Sequence, residues 1–251
     1  MTIFYFTSTG NSLAVAKRIG GNLISIPQAA ASGTLHCKDD AIGIVFPVYF
    51  YGEPKMVRRF LDKATFEADY LFAIGTCGTT PGAAMLNVQK RAQKNGSRFD
   101  YANCLRMVDN FLPLFEIGSE IKKLPKKDVE GQIAKIVDDI KNRTRMKASV
   151  SLPFRAMTAI AGTMMKSPGK KARNYIVNSQ CNTCGICAKV CPAKNIAVSD
   201  KVAFSDQCEL CMGCLHHCPQ NALRLKSERS RKRWRNPEVA LSEIIAANSQ
   251  G

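Results

Sequence analysis

Between residues 181 and 218 the chain repeats itself. Residues 181–192 read C-N-T-C-G-I-C-A-K-V-C-P and residues 208–219 read C-E-L-C-M-G-C-L-H-H-C-P, each fitting C-x2-C-x2-C-x3-C-P. Every cysteine recurs 27 positions on: Cys181 as Cys208, Cys184 as Cys211, Cys187 as Cys214 and Cys191 as Cys218, with Pro192 and Pro219 at the same offset. A fixed offset held at five positions marks an internal duplication. Three thiolates spaced by two residues can turn inward from one tight loop and grip three corners of a cubane iron–sulfur cluster.

The run resembles that of the bacterial two-cluster ferredoxins, where the fourth cysteine, followed by proline, ligates the other cluster. The resemblance implies two crossed sets. Cys181, Cys184, Cys187 and Cys218 would hold one [4Fe-4S] cluster, and Cys208, Cys211, Cys214 and Cys191 the other. Zinc also takes four thiolates, but its sites usually join two C-x2-C knuckles across a long spacer, and four cysteines in eleven residues are cramped for that. A disulfide framework needs an oxidising compartment. Here strand-like sequence begins at Thr2 with no charged-then-apolar leader before it.

At 251 residues the chain is much longer than one ferredoxin module, so at least two domains are expected. No window reaches the 18 consecutive apolar residues of a membrane helix; residues 156–165 come nearest and are flanked by Arg155 and Lys166. A cytoplasmic protein without a transmembrane segment is expected. The formal charge is +16. Two oxidised clusters and a flavin phosphate would bring it to about +10. A surface of that sign favours acidic protein partners; nucleic acid is the weaker reading of the same charge.

The first residues, T-I-F-Y-F, form a buried-strand pattern and run into Thr7-Ser8-Thr9-Gly10-Asn11-Ser12, followed by a helical pattern. A strand, a hydroxyl-rich turn and a helix N-terminus form an anion site. The alternative is a plain turn whose hydroxyls only cap the helix. A Walker loop needs Lys followed by Ser or Thr, and a dinucleotide fingerprint needs G-x-G-x-x-G; with neither present, a single phosphate is expected. Further strands are predicted at 22–26, 41–46, 70–75 and 97–108, with a polar loop over 28–40. Helices are predicted at 54–62, up to residue 94, and at 127–142. This alternation implies a parallel sheet covered on both faces.

In such sheets ligands bind beyond the carboxyl ends of the strands. The third strand ends in Pro47-Val48-Tyr49-Phe50-Tyr51-Gly52, whose rings can stack on a flat ligand. The fourth ends in Thr76-Cys77-Gly78-Thr79, which can bring backbone amides against a heterocycle. Ordinary core packing is the competing account of the tyrosines. A phosphate turn, a stacking surface and an amide edge together describe a site for FMN.

Residues 1–145 resemble a flavodoxin, whose phosphate loop T/S-x-T-G-x-T/S is matched by residues 7–12 at every fixed position. With the cysteine repeats, nearly the whole chain resembles the flavodoxin–ferredoxin fusion proteins of anaerobes. The resemblance implies an α/β fold: a flavodoxin-like doubly wound parallel sheet in the order 2-1-3-4-5, plus a small α+β ferredoxin-like two-cluster domain. It implies FMN, two clusters and electron transfer. Flavodoxins are usually acidic, and this chain is not. The expected division is 1–145 for the FMN domain, 146–175 for a linker, 176–227 for the cluster domain and 228–251 for a basic tail.

The linker mixes apolar residues with a basic run over 166–173 and is expected to join the domains. The basic run over 226–235 is expected to be solvated, with Trp234 packed back on the surface. His216 and His217 are expected on the surface, titrating near the clusters. Residues 109–116 are expected either against the flavin or against the second domain. Cys104 is expected to be a buried strand residue, Cys77 a small filler in the third loop, and Cys37 lies in the polar loop. No general acid, base or nucleophile constellation stands out. The leading expectation is an electron carrier in which two clusters exchange electrons with FMN, converting between one- and two-electron chemistry. A reductase passing electrons from FMN to a small organic acceptor is the second, and a redox sensor on nucleic acid the third.

Overall fold

The computed structural model describes residues 1–33, 35–164 and 174–250. The N-terminal part is a five-stranded parallel sheet. Its strands are β1 (Thr2–Tyr5), β2 (Asn22–Ser25), β4 (Ala41–Pro47), β6 (Tyr70–Cys77) and β7 (Tyr101–Arg106), in the order β2-β1-β4-β6-β7. β1, β4 and β6 are apolar on both faces, as strands covered from two sides must be. On one face α1 (Asn11–Ile19) and α7 (Val129–Lys141) enclose a core with Ile3, Tyr5, Val45 and Phe72. On the other, α2 (Ile26–Ser32), α3 (Lys55–Leu61) and α4 (Ala84–Lys94) enclose Phe4, Phe6, Ile44 and Phe46. The sheet reverses direction of growth between β1 and β4, which opens a crevice at their carboxyl ends.

The polar loop expected over 28–40 is not a loop. It holds α2 and β3 (His36–Lys38), which pairs in parallel with β5 (Thr65–Glu67). Ser25 caps α2, its Oγ accepting from Gln28 N at 3.4 Å. Pro27 opens the helix, three alanines carry it, and Gly33 closes it at φ 74°. The fifth strand of the sheet is shorter than predicted: Asp100 accepts from Leu71 N at 3.1 Å, and the regular strand begins only at Tyr101.

Two short helices, α5 (Ile117–Lys122) and α6 (Leu124–Lys127), lead into α7, and α8 (Leu152–Met164) follows. α8 docks on the sheet domain itself. Thr158 accepts from Ala83 N at 2.9 Å, fixing the helix to the loop after β6, while Leu152 and Ile160 remain 76% and 66% exposed. The basic run 166–173 lies outside the described residues.

The two cysteine repeats fold alike. Each has a short helix, α9 (Ile186–Lys189) or α10 (Gly213–His216). Around them lie two antiparallel pairs, β8 (Tyr175–Val177) with β11 (Leu223–Leu225) and β9 (Ile196–Val198) with β10 (Val202–Phe204). Equivalent positions even share left-handed backbone: Thr183 and Leu210 at φ 53°, Lys194 and Asn221 at φ 48°.

The basic run 226–235 is largely exposed, with Trp234 packed back against Asn11 as expected. The residues after it depart from expectation: they pass Thr9 and end in α11 (Leu241–Asn248), whose Ile244 and Ala247 join the core with Val15 and Ile19. Lys17 pairs with Glu243 at 2.8 Å, and Gln28 Nε2 donates to Ala246 O at 2.8 Å. The tail carries enough apolar residues (Val239, Ile244, Ile245) to bury a face, so its basic character describes only its outer side.

Candidate functional site

Among the sixteen loop residues predicted to meet a ligand, fourteen line one cleft at the carboxyl ends of β1, β4 and β6. The exceptions are Gly10 and Gly52. Gly10 sits at φ 96° with its α-carbon against the tail, where a Cβ would meet Asn236 and Val239 at 3.0 Å. Gly52 closes the turn that aims the rings.

The hydroxyls of the first loop are held as acceptors. Thr7 Oγ1 accepts from Gly10 N (3.1 Å), Ser8 Oγ from the Tyr49 hydroxyl (3.1 Å) and Thr9 Oγ1 from Asn110 Nδ2 (2.6 Å). Each oxygen therefore keeps its own hydrogen to donate. They stand beside the first turn of α1, which has neither a side-chain cap nor an acidic residue. Oriented O–H groups at an uncapped helix N-terminus fit an anion. Asn11 does not join them: its amide donates to Val108 O at 3.4 Å, and its Oδ1 accepts from Trp234 Nε1 at 3.1 Å and Asn236 Nδ2 at 3.3 Å. Ser12 Oγ shares a hydrogen bond with Thr76 Oγ1 at 2.9 Å, tying the first loop to the third.

Tyr49 and Gly52 exchange two backbone hydrogen bonds of 2.8 and 2.9 Å across Phe50 and Tyr51, both at positive φ (51° and 64°). This is a tight hairpin turn that ordinarily calls for Gly or Asn; holding two aromatic residues there costs about 1–2 kcal/mol each. It aims the Phe50 ring at Phe111, 4.8 Å away edge-on, across the cleft mouth. Tyr49 is turned inward, edge-on to Phe6 at 6.4 Å. Burial, reinforced by the charge of nearby Cys211, pushes its hydroxyl well above the usual range, so it stays a donor to Ser8.

In the third loop, a Cβ on Gly78 would lie 2.0 Å from Asp109 Oδ2. Only glycine lets this carboxyl approach. Burial, with Glu120 adding to it, raises Asp109 to about 6 against the opposing hydrogen bond from Phe111 N and the charges of Lys127 and Lys123. Lys127 Nζ donates to Gly78 O at 2.8 Å and Met107 O at 2.6 Å, clamping the loop to the strand beside it. Asp109, Asn110, Phe111, Leu114 and Phe115 all line the cleft, while Leu112 is buried with Cys187, Leu215 and Leu223. The 109–116 stretch thus meets both regions. Cys77 lines the cleft at the end of β6, Cys104 lies half-buried in β7, and Cys37 sits in β3.

The cysteines line two further small cavities. Cys181, Cys184, Cys187 and Cys218 line one, and Cys191, Cys208, Cys211 and Cys214 the other. Among the described residues, no three His, Cys, Asp or Glu side chains converge as ligands for a single ion; the thiols instead surround small volumes. Burial, then the charge of Cys211, Cys191 and Cys208, pushes the Cys214 thiol well above its usual range. Four thiols around each small cavity are a donor set of the kind that holds a metal–sulfur cluster.

The two histidines are buried, not on the surface (5% and 6% exposed). His216 Nε2 donates to Asn110 O at 2.9 Å while its Nδ1 accepts from Trp234 N at 3.1 Å. That arrangement needs neutral imidazole, and burial lowers its pKa to about 3. It acts as a spacer joining the cysteine segment, the 109–116 stretch and the tail. The sequence signal for this was present in the adjacent H-H and the lone Trp234, but their partners lie about twenty and more than a hundred residues away.

No known protein-family model matches the chain, and no curated protein matches it in sequence. Among solved structures it is similar to a flavoprotein candidate from Bacteroides uniformis, at 16% identity over 42% of this chain and 89% of that one, with a TM-score of 0.33. Two-electron reduced flavodoxin from Megasphaera elsdenii is similar at 18% identity, over 41% and 83% of the two chains, with a TM-score of 0.32. The Trp repressor binding protein of Bacillus subtilis is similar at 10% identity, over 42% and 83%, also with a TM-score of 0.32. Among the described residues no helix is long and apolar enough to cross a membrane.

Proposed function

We propose that this chain is an electron-transfer protein that binds FMN in the cleft and two [4Fe-4S] clusters in the cysteine-lined cavities. The observation that carries the reading is that Cys211 and Met212 line both the cleft and the second cysteine cavity. A flavin site and a cluster site with a common wall can exchange electrons within one molecule. FMN would supply two-electron chemistry and each cluster one-electron chemistry.

Thr7, Thr9 and the first turn of α1 would hold the phosphate. Phe50 and Tyr51 would cover the ring, and residues 76–79, pinned by Lys127, would offer it a fixed backbone edge. Asn110 and Tyr49 orient the hydroxyls that receive the phosphate. The crossed cysteine sets would hold the clusters, and the basic surface would receive an acidic redox partner. Protein purified without oxygen is expected to carry about eight irons and one FMN per chain. Zinc in their place, or iron without flavin-binding capacity, would overturn the reading.

A second reading rests on the open side of the cleft, where Leu114 is 57% exposed beside Phe111 and Phe115. A small organic acceptor could reach FMN there, making the chain a reductase fed by its own clusters. Turnover of quinones or nitro compounds by the reduced protein would favour it.

A further inference from the structure

The two cysteine repeats share their ligands and backbone, yet they differ at the four positions between the first three cysteines. Asn182, Thr183, Gly185 and Ile186 of the first repeat correspond to Glu209, Leu210, Met212 and Gly213 of the second. Asn182 and Thr183 are exposed; Glu209 and Leu210 are 4% and 7% exposed. Glu209 Oε2 accepts from Met56 N at 3.2 Å, anchoring the second repeat to the start of α3 below the 49–52 turn. Leu210 lines the cleft.

The remaining pair is a reversal. Where the first repeat has Gly185 in left-handed backbone (φ 75°), as glycine permits, the second has Met212 at φ 58°. A residue with a Cβ is strained in that region, so the exchange runs against local preference. Next to it Ile186 gives way to Gly213. A Cβ on Gly213 would lie 3.4 Å from Ser8 O, in van der Waals contact, so this position sits directly against residues 7–12. The G-I to M-G exchange thus brings the second repeat against residues 7–12 and turns an apolar side chain into the cleft wall. The first repeat packs elsewhere, with its Ile186 and Val190 in the sheet core beside Leu13 and Val15. None of its cavity residues lines the cleft, and its Cys184 is exposed.

We infer that the duplicated halves have divided the work. The cavity of Cys191, Cys208, Cys211 and Cys214 holds the cluster that exchanges electrons with the flavin, and Glu209, Leu210, Met212 and Gly213 position it there. The cavity of Cys181, Cys184, Cys187 and Cys218 holds the outer cluster, the port for an external one-electron donor or acceptor protein. Inward, each electron leaves the donor protein for the outer cluster, then passes to the inner cluster and the cleft, oxidising each in turn; two such transfers and protons from water complete reduction of the flavin. Outward flow reverses these steps. This inference rests on the proposed function.

Hydrogen–deuterium exchange of the iron-loaded wild-type protein, with and without added FMN, tests it without any substitution. Amides of residues 209–214 are expected to slow about tenfold on FMN addition while those of 182–187 are unchanged. Equal protection of both loops, or of 182–187 alone, would overturn the assignment. A second measurement uses the exchange of residues between the repeats. Met212→Gly with Gly213→Ile is expected to weaken FMN binding about tenfold, whereas Gly185→Met with Ile186→Gly leaves it unchanged. The reverse pattern, or no difference, would contradict it. Failure of the underlying reading shows separately, as wild-type protein that takes up no iron or no FMN.

Discussion

At the scale of single residues, the cleft is built from groups whose chemistry is fixed by what lies behind them. Asp109 is the clearest case. Its folded pKa, about 6, is raised mainly by burial. A carboxyl raised in the folded state contributes stability that is full below the usual carboxylate range and is lost as pH rises through about 6. At pH 7 the ionised group is therefore a burden. At about 1.4 kcal/mol per pH unit, reduced because the side chain is only half-buried, it amounts to about 1–2 kcal/mol. Asp109→Asn, denatured without added flavin, is expected to be more stable than wild type at pH 7 by that amount and equal to it at pH 4. Equal stability at both would show that the carboxyl is better solvated than its surroundings imply. Thr7, Thr9 and the eight repeat cysteines could be read directly from motif spacing. The stretch 109–116 is expected near the flavin or the second domain. The individual roles of Asp109 and Asn110, and that of Lys127, are not legible in the sequence, because they depend on contacts between elements far apart in it.

At the scale of elements, the strands and the helices around them were legible because each carries a strong period or a cap. β1, β4 and β6 are nearly continuous apolar runs, and α7 places Ile133, Ile136 and Ile140 on one buried face. The tail was not legible. Lys and Arg dominate residues 226–235, where Trp234 is the one aromatic side chain. That charge masks the apolar face that Val239 and Ile244 carry a few residues later. Deleting residues 229–250 would remove Trp234 and Asn236 from Asn11, and Val239 and Ile244 from the core. Burial of two such side chains is worth about 3–6 kcal/mol. The truncated chain is expected to unfold at clearly lower denaturant and to bind FMN more weakly, measured by chemical denaturation and flavin fluorescence. A truncation that leaves both unchanged would return the tail to a surface role.

At the scale of the whole molecule, the sheet and the cysteine repeats meet, among the described residues, through side-by-side contacts and not only through the chain that connects them. Gly213 lies against Ser8, Glu209 against α3 and His216 against Asn110, and the tail is laid over residues 7–12. These contacts were invisible in the sequence because each pairs residues more than a hundred positions apart. They put the cleft and one cysteine cavity on opposite sides of Cys211 and Met212. The most direct test of the account is rapid mixing of the iron- and FMN-loaded protein with a low-potential one-electron donor protein, following cluster and flavin absorbance separately. Cluster bleaching is expected first, then flavin reduction at a rate independent of both donor and protein concentration. Flavin reduction that scales with donor concentration, or that proceeds without prior cluster bleaching, would contradict it.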